Sequence, residues 1–326
     1  MADREPTGAY SRFGGGHRPL ARDVLRELTL VGPEVRDRFV VRFGPDVLGW
    51  CDELPVVVGR LAARWDLELV GAGGGGTSRV FRCLRREDGS PVWLKLTPDP
   101  VIATEEAEAL RAWAGTPSVV TLLAQELGEG ALLLESVEPG VPVRELTWRL
   151  PEVAVLLRDL RTASPVPARR SVLRTLSHRI GFLFDLTSRR LAGAGAEGSG
   201  LFDSALLFRA RTAALELAAS GPVGLVHGDL HPANVLSGPG AGMVAIDPRP
   251  AWGDPDFDTV DWVLDGVVER VELERRIEEL SVLVPGLSPD RVLGWCRALA
   301  VLIAVPRICQ RRDDSETEFL VSLARS

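Results

Sequence analysis

Lysine is almost missing from this chain. Of 38 basic residues among 326, one is lysine, Lys95, and 37 are arginine. Cysteine is scarce as well. Cys51, Cys83, Cys296 and Cys309 stand apart, with no CxxC pair and no zinc-like spacing. That argues against a disulfide-stapled scaffold and a cysteine metal site, and implies free thiols in a reducing compartment. No apolar run opens the chain, so no signal peptide is expected. The longest unbroken apolar stretch, Ala298 to Val305, is far short of the ~20 residues needed to span a bilayer. Internal repeats, heptads and nucleic-acid modules are absent too. A net charge of -7 disfavours nucleic acid as a partner and suits a cationic small molecule. The expectation is a cytoplasmic protein with no nucleic-acid or membrane partner, monomer or dimer. An apolar share of 45% and a charged share of 25% are those of a globular protein, and 326 residues suit two lobes better than one core.

The most informative stretch runs from Leu225 to Asp258. A short strand, Leu225-Val226, is followed by a polar loop. A strand at Val235-Leu236, a Gly/Pro turn and a strand from Met243 to Ile246 then read as a hairpin that ends on Asp247. The loop reads His227-Gly-Asp-Leu-His-Pro-Ala-Asn234, with Asp229 and Asn234 five apart and Asp247 thirteen further on. The form H-x-D-x-x-x-x-N followed by a hairpin ending in Asp is that of a kinase catalytic loop. An Asp can take the proton of a hydroxyl as it attacks phosphorus. An Asn carbonyl and a carboxylate suit Mg2+, a hard cation that wants oxygen ligands. His227 and His231 are expected to hold the loop by hydrogen bonds rather than to react.

Upstream, residues 20 to 65 read as helices, with Pro55 in the first turn of one that runs to Trp65. Strands at Leu67-Val70 and Val80-Cys83 flank a glycine-rich turn in which Gly75, Gly76, Thr77 and Ser78 could face phosphate oxygens; a plain flexible hairpin tip is the alternative. Lys95 lies in the strand Val92-Thr97. In a protein that otherwise uses arginine, a retained lysine suggests a site for a compact point charge between phosphates and a carboxylate; a drifted surface residue is the alternative. A helix from Ala103 to Trp113 follows, with Thr104 as its expected N-cap. Val119-Leu123 and Ala131-Leu134 read as strands leading into a Pro-Gly link at Glu135-Gly140. Helices are expected at 150–163, 172–191, from Asp203 onwards and from Ser288 to about Cys309, with a soft glycine-rich break at 193–200. Asp254, Asp256, Asp258, Asp261 and Asp265 form a carboxylate-rich run that would attract a cationic acceptor or be a solvated helix face.

The run from His227 to Asn234, with the Ile246-Asp247 strand end, resembles the signature of the aminoglycoside phosphotransferase superfamily. The stretch Ala245-Ile-Asp-Pro-Arg-Pro-Ala-Trp-Gly-Asp-Pro-Asp-Phe-Asp258 is most similar to its streptomycin 6-kinase and hydroxyurea phosphotransferase branch, as is the Trp50…Leu54-Pro55…Arg64-Trp65 pattern. The resemblance covers roughly residues 39 to 310. It implies an α+β, bilobal protein-kinase-like fold. A loose tail (1–19) would precede helices and a small β-rich nucleotide-binding lobe (20–136), then a larger helical lobe (137–326). It further implies ATP, with GTP not excluded, and Mg2+. Asp229 would be the base, Asn234 and Asp247 the metal ligands, and Lys95 the holder of the α- and β-phosphates. Glu106 would pair with Lys95, ahead of Glu105 and Glu108, and Glu135 and Val137 would contact adenine through their backbone. Asp254 and Asp258 would brace the loop. Arg249 stands where protein kinases carry a glycine, which argues against a protein substrate. The function implied is phosphorylation of a hydroxyl on an antibiotic. A metabolic small-molecule kinase, or a kinase-fold binding protein without activity, are the alternatives.

Overall fold

The computed structural model describes residues 22–74, 76–162, 171–193 and 202–326; the expected tail at 1–19, Gly75 and residues 194–200 of the expected break at 193–200 lie outside them. Helices α1 (Arg22–Thr29), α2 (Pro33–Phe43) and α3 (Val47–Arg64) come first. An antiparallel sheet follows, made of β1 (Leu67–Gly74), β2 (Arg79–Arg85), β3 (Pro91–Leu96), β4 (Leu122–Glu126) and β5 (Ala131–Glu135) in the order β1-β2-β3-β5-β4. Helix α4 (Pro100–Ala112) connects β3 to β4.

Strand periodicity assigns the two faces of this sheet to two cores. Val92, Leu94 and Leu96 of β3 join Leu54, Val58 and Leu61 of α3 in a cluster that seals the first face. Trp93, one residue out of phase, packs with Leu132, Leu134, Ala107 and Leu110 on the other. Lys95 shares the Trp93 parity, so it emerges on the α4 side, toward the second lobe. At 4% exposure it is not a drifted surface residue.

The second lobe is built on α5 (Leu150–Leu160), α6 (Leu176–Gly193), α7 (Ser204–Ser220), α8 (Val260–Leu264), α9 (Arg270–Leu283), α10 (Pro289–Cys309) and α11 (Ser315–Arg325). Two ribbons lie in it: β6 (Gly224–Val226) with β9 (Ala251–Gly253), and β7 (Val235–Ser237) with β8 (Met243–Ala245). By length and composition α10 is apolar enough to cross a membrane, but its Trp295, Cys296, Leu299, Val301 and Val305 are buried in the core. Ser288 caps it through Arg291 N–H, and Asp203 caps α7 through Leu206 N–H, both as expected.

Four local expectations are corrected. Pro55 lies inside α3, not at its start. It forfeits the bond to the Cys51 carbonyl, and the buried seam of Cys51, Leu54, Val58 and Leu61 carries the helix past it. Helix α4 begins three residues before Ala103. Asp99 is its cap, accepting from Val101 N–H with Pro100 in the first turn, while the Thr104 hydroxyl bonds back to the Pro100 carbonyl. Val119-Val120 leaves the first sheet altogether. Val120 N–H donates to the Ala245 carbonyl and Ala245 N–H to that of Ser118, so the segment before β4 is clipped to the strand that leads to Asp247. Residues 172–175 are extended rather than helical, because Trp252 N–H takes the Arg174 carbonyl and Glu108 holds Val172 N–H.

Candidate active site

The loop from His227 to Asn234 is fixed by its own backbone. Asp258, 6% exposed, accepts from His227 N–H (2.6 Å) and Gly228 N–H (2.8 Å), which is the bracing role the resemblance implied. Burial nevertheless pushes its carboxyl up to about 7. Gly228 sits at φ +77°, and a Cβ there would lie 2.1 Å from the Arg249 carbonyl oxygen, so only glycine fits. Arg249 N–H in turn donates to the His227 carbonyl (2.8 Å), tying the loop to the segment after Asp247.

His227 is fully buried and stacks on Trp113. Its Nδ1 accepts from Asp229 N–H (3.3 Å), so Nε2 carries the proton and donates to the Ile246 carbonyl (3.1 Å). A second ring proton would face an N–H group. Burial holds the imidazole down to about 4. A base with a folded-state value below its unfolded ~6.5 releases its proton more readily in the folded chain. Its contribution to stability is therefore full above pH 6.5 and is lost as pH falls toward 4, by roughly 3 kcal/mol in all. NMR titration of the ring should give a midpoint near 4; a midpoint near the ordinary value would contradict this geometry. His231 plays the local role expected of it, its Nδ1 accepting from Ala233 N–H.

Asp229 is 38% exposed at its side chain and lies between two donors. Arg179 of α6 approaches Oδ1 at 3.3 Å. The Asn234 side-chain amide nitrogen donates to Oδ2 (3.1 Å) and to the Asp229 carbonyl (3.0 Å). With both N–H groups committed there, the Asn234 carbonyl oxygen is the end left for a cation. Asp247 is a non-glycine residue in left-handed backbone (φ +56°), a conformation that costs energy and concentrates at functional sites. Its Oδ1 accepts from Lys95 Nζ at 2.7 Å.

Lys95 Nζ also meets both Glu106 oxygens, at 2.7 and 2.6 Å. The side chains are 5% and 0% exposed, so a single ammonium is shared by two carboxylates away from water. Burial alone would lower Lys95, but Asp247 and Glu106 outweigh it and the amine stays protonated. Burial raises Glu106, whereas Asp247 is held well below the usual carboxylate range, because Lys95 and Arg249 together overcome its own burial. Of the runners-up for the Lys95 partner, Glu105 instead faces Arg174 (3.4 Å), and Glu108 binds Ser171 and Val172 N–H.

The remaining expected residues divide. Thr77 accepts from Arg249 Nη2, joining the glycine-rich turn to the Asp247 segment, Gly76 is exposed, and Ser78 is buried. Gly75 is outside the described residues. Glu135 N–H donates to the Thr121 carbonyl and its carboxylate accepts Thr121 N–H, so its amide is not free for a base. Val137 follows, half-buried, before Gly140. There a Cβ would lie 2.4 Å from the Val137 carbonyl.

The Asp254–Asp265 run is neither of the surfaces expected. Asp254 is fully buried against Arg291 (2.6 Å) and Trp295 Nε1 (2.8 Å), and Asp256 against Arg161 (2.7 Å). With Asp258 bound to the loop, three of the five carboxylates are structural. Asp265 is exposed. Asp261 is half-buried, within electrostatic reach of His231 and Asp229, and burial pushes it up to about 6. Sequence reasoning missed Arg179 and Arg42, whose approach to the cleft depends on tertiary packing and carries no local motif.

A family model described as aminoglycoside/hydroxyurea antibiotic resistance kinase matches residues 64–309. The chain is 30% identical to a streptomycin 6-kinase of Streptomyces glaucescens over 78% of this chain and 82% of that one. It is 31% identical to a hydroxyurea phosphotransferase of Kitasatospora aureofaciens, over 74% and 69%. Among solved structures, the choline kinase LicA of Streptococcus pneumoniae superposes with a TM-score of 0.56 at 12% identity, covering 83% of this chain and 98% of that one. The ADP-bound aminoglycoside phosphotransferase APH(2'')-Ib gives 0.54 at 12% identity, covering 82% and 97%. At such identities the structural likeness establishes the bilobal kinase-like fold alone.

Proposed function

The chain belongs to the aminoglycoside/hydroxyurea antibiotic resistance kinase family and is a small-molecule O-phosphotransferase; from that premise we propose that it moves the terminal phosphoryl group of ATP, with Mg2+, onto a hydroxyl of a streptomycin-like aminoglycoside or of hydroxyurea in the cytoplasm. The observation that carries this reading is the Lys95 ammonium bridging Glu106 and Asp247, with Asp229 and Asn234 hydrogen-bonded to each other on the catalytic loop.

In this reading Lys95 holds the α- and β-phosphates, and the hinge after Glu135, with Val137, receives the adenine. Asn234 and Asp247 fit Mg2+, one through a carbonyl oxygen left free, the other through a carboxylate held ionised. Bound there, the ion would neutralise charge on the phosphates. Asp229 accepts the acceptor's hydroxyl proton as that oxygen bonds to phosphorus and the bond to the ADP oxygen breaks. Arg179 and Asn234 keep the Asp229 carboxylate oriented.

An ADP-release screen against streptomycin, other aminoglycosides, hydroxyurea and metabolic alcohols tests the proposal. Acceptor-dependent ADP release with one of the first three is the expected result. Release only with a sugar or amino alcohol would replace the antibiotic acceptor with a metabolic one.

A further inference from the structure

Beside the catalytic loop lies a cavity of about 180 Å3, lined by Arg42, Arg174, Arg179 and Arg249 against two carboxylates, Asp99 and Glu105. Asp99 caps α4, and Glu105 lies 3.4 Å from Arg174 with its Oε1 buried and without a hydrogen-bond partner among the described residues. Arg249 reaches Thr77 with Nη2 and lies 3.6 Å from Asp247, but its Nη1 is buried with no hydrogen-bond partner among the described residues. Arg42, near the end of α2, lies 4.6 Å over the Phe182 ring, and among the described residues no carboxylate is within ion-pair distance of it. Burial and the charge of Arg249 both hold Arg42 below the ordinary range, and burial with the same neighbour does so for Arg179. Three guanidinium groups thus gather beside Asp229 and Asp247, Arg42 among them without an ion-pair partner among the described residues, and one buried N–H group of Arg249 is left over. An unmade buried hydrogen bond of this kind is costly unless a ligand completes it.

We propose that Arg42, Arg179 and Arg249 form a phosphate-binding site on the Asp229 side of the cleft, for which the N-terminal helices supply Arg42. Planar guanidinium forks suit phosphate oxygens, and the dianion would satisfy Arg249 Nη1. The inference rests on the phosphotransferase reading, yet Arg42 lies outside the stretch matched by the family model, residues 64–309. The same chemistry has two sources: the terminal phosphate of the nucleotide, or an acidic group on the acceptor or its phosphorylated product.

The test uses inorganic phosphate as the probe and calorimetry on the full-length chain, so it needs no acceptor turnover. Phosphate should bind the parent, and Arg42→Gln should weaken it by ~10-fold or more, the size expected for losing a hydrogen bond to a charged group. Arg42→Lys, which keeps the charge, should restore part of it. Asp229→Asn should leave phosphate binding in place, and a parent chain that binds phosphate but phosphorylates no acceptor would sink the function and spare the site. If Arg42→Gln weakens ATP but not ADP, the terminal phosphate is the occupant. If it weakens neither, and phosphate inhibits by competing with the acceptor, the acidic group belongs to the acceptor or product. No phosphate binding to the parent, or unchanged binding in folded Arg42→Gln and Arg249→Gln variants, overturns the proposal.

Discussion

Asp229→Asn is expected to cut turnover by about 10²- to 10⁴-fold, the range of a general base. The change removes the charge that accepts the hydroxyl proton and keeps the shape. One of its two neighbours, Arg179 or Asn234, would lose its acceptor, since both present N–H groups to the carboxylate. That costs on the order of 1 kcal/mol at a partly exposed site. The melting temperature should therefore stay within a few degrees of the parent and nucleotide affinity should hold. Steady-state kinetics beside calorimetry separate the outcomes. Turnover within about threefold of the parent would remove Asp229 from the mechanism.

The second large effect is expected at Lys95. Arginine is what the chain uses everywhere else, so Lys95→Arg ought to be harmless if only charge mattered. The site is too tight for that. Three carboxylate oxygens lie within 2.7 Å of one Nζ that is almost wholly enclosed. A guanidinium is wider, and it would displace Glu106, Asp247 or the phosphates. A shift of ~1 Å in reacting groups can cost on the order of 100-fold. At least ~10-fold should therefore be lost in kcat/KM for the nucleotide, or ~1.4 kcal/mol. Because the position is buried rather than at an open edge, overpacking should also cost about 1–3 kcal/mol of stability. Glu106→Gln in the Lys95→Arg background should add less than it does alone, since the two residues act as a pair. A fully active Lys95→Arg enzyme would refute the phosphate-holding role.

The parts of the site that were legible in the sequence are those whose geometry is local. Asp229, Asn234 and Asp247 lie on one loop and one hairpin, so their spacing along the chain already places them on one rim. Lys95 stood out because it is the one lysine in a chain that otherwise uses arginine, and strand parity sets the face on which it emerges. What could not be read depends on contacts between distant residues. Asp254 and Asp256 read as part of a run that attracts a cation or is solvated, with Asp254 implied as a brace of the loop, until Arg291, Trp295 and Arg161 fold onto them. Val119-Val120 has strand character with no local sign that its partner is Ala245. Arg42 belongs to a helix whose pattern speaks only of packing, and only the folded chain brings its guanidinium over the Phe182 ring and into the cleft lining. Asp99 lost the capping assignment to Thr104 because the acids after Thr104 look like a first turn. Asp99-Pro100, just upstream, is the pair that starts the helix.

The most direct test of the central claim follows the phosphorus atom itself. The chain is incubated with ATP, Mg2+ and each acceptor that releases ADP, and phosphorus NMR with mass analysis identifies where the terminal phosphate goes. The expected result is a phosphorylated ester of streptomycin or of hydroxyurea, formed by the parent chain and almost abolished in Asp229→Asn. Free inorganic phosphate alone, or the same ester formed at an undiminished rate by Asp229→Asn, would contradict it.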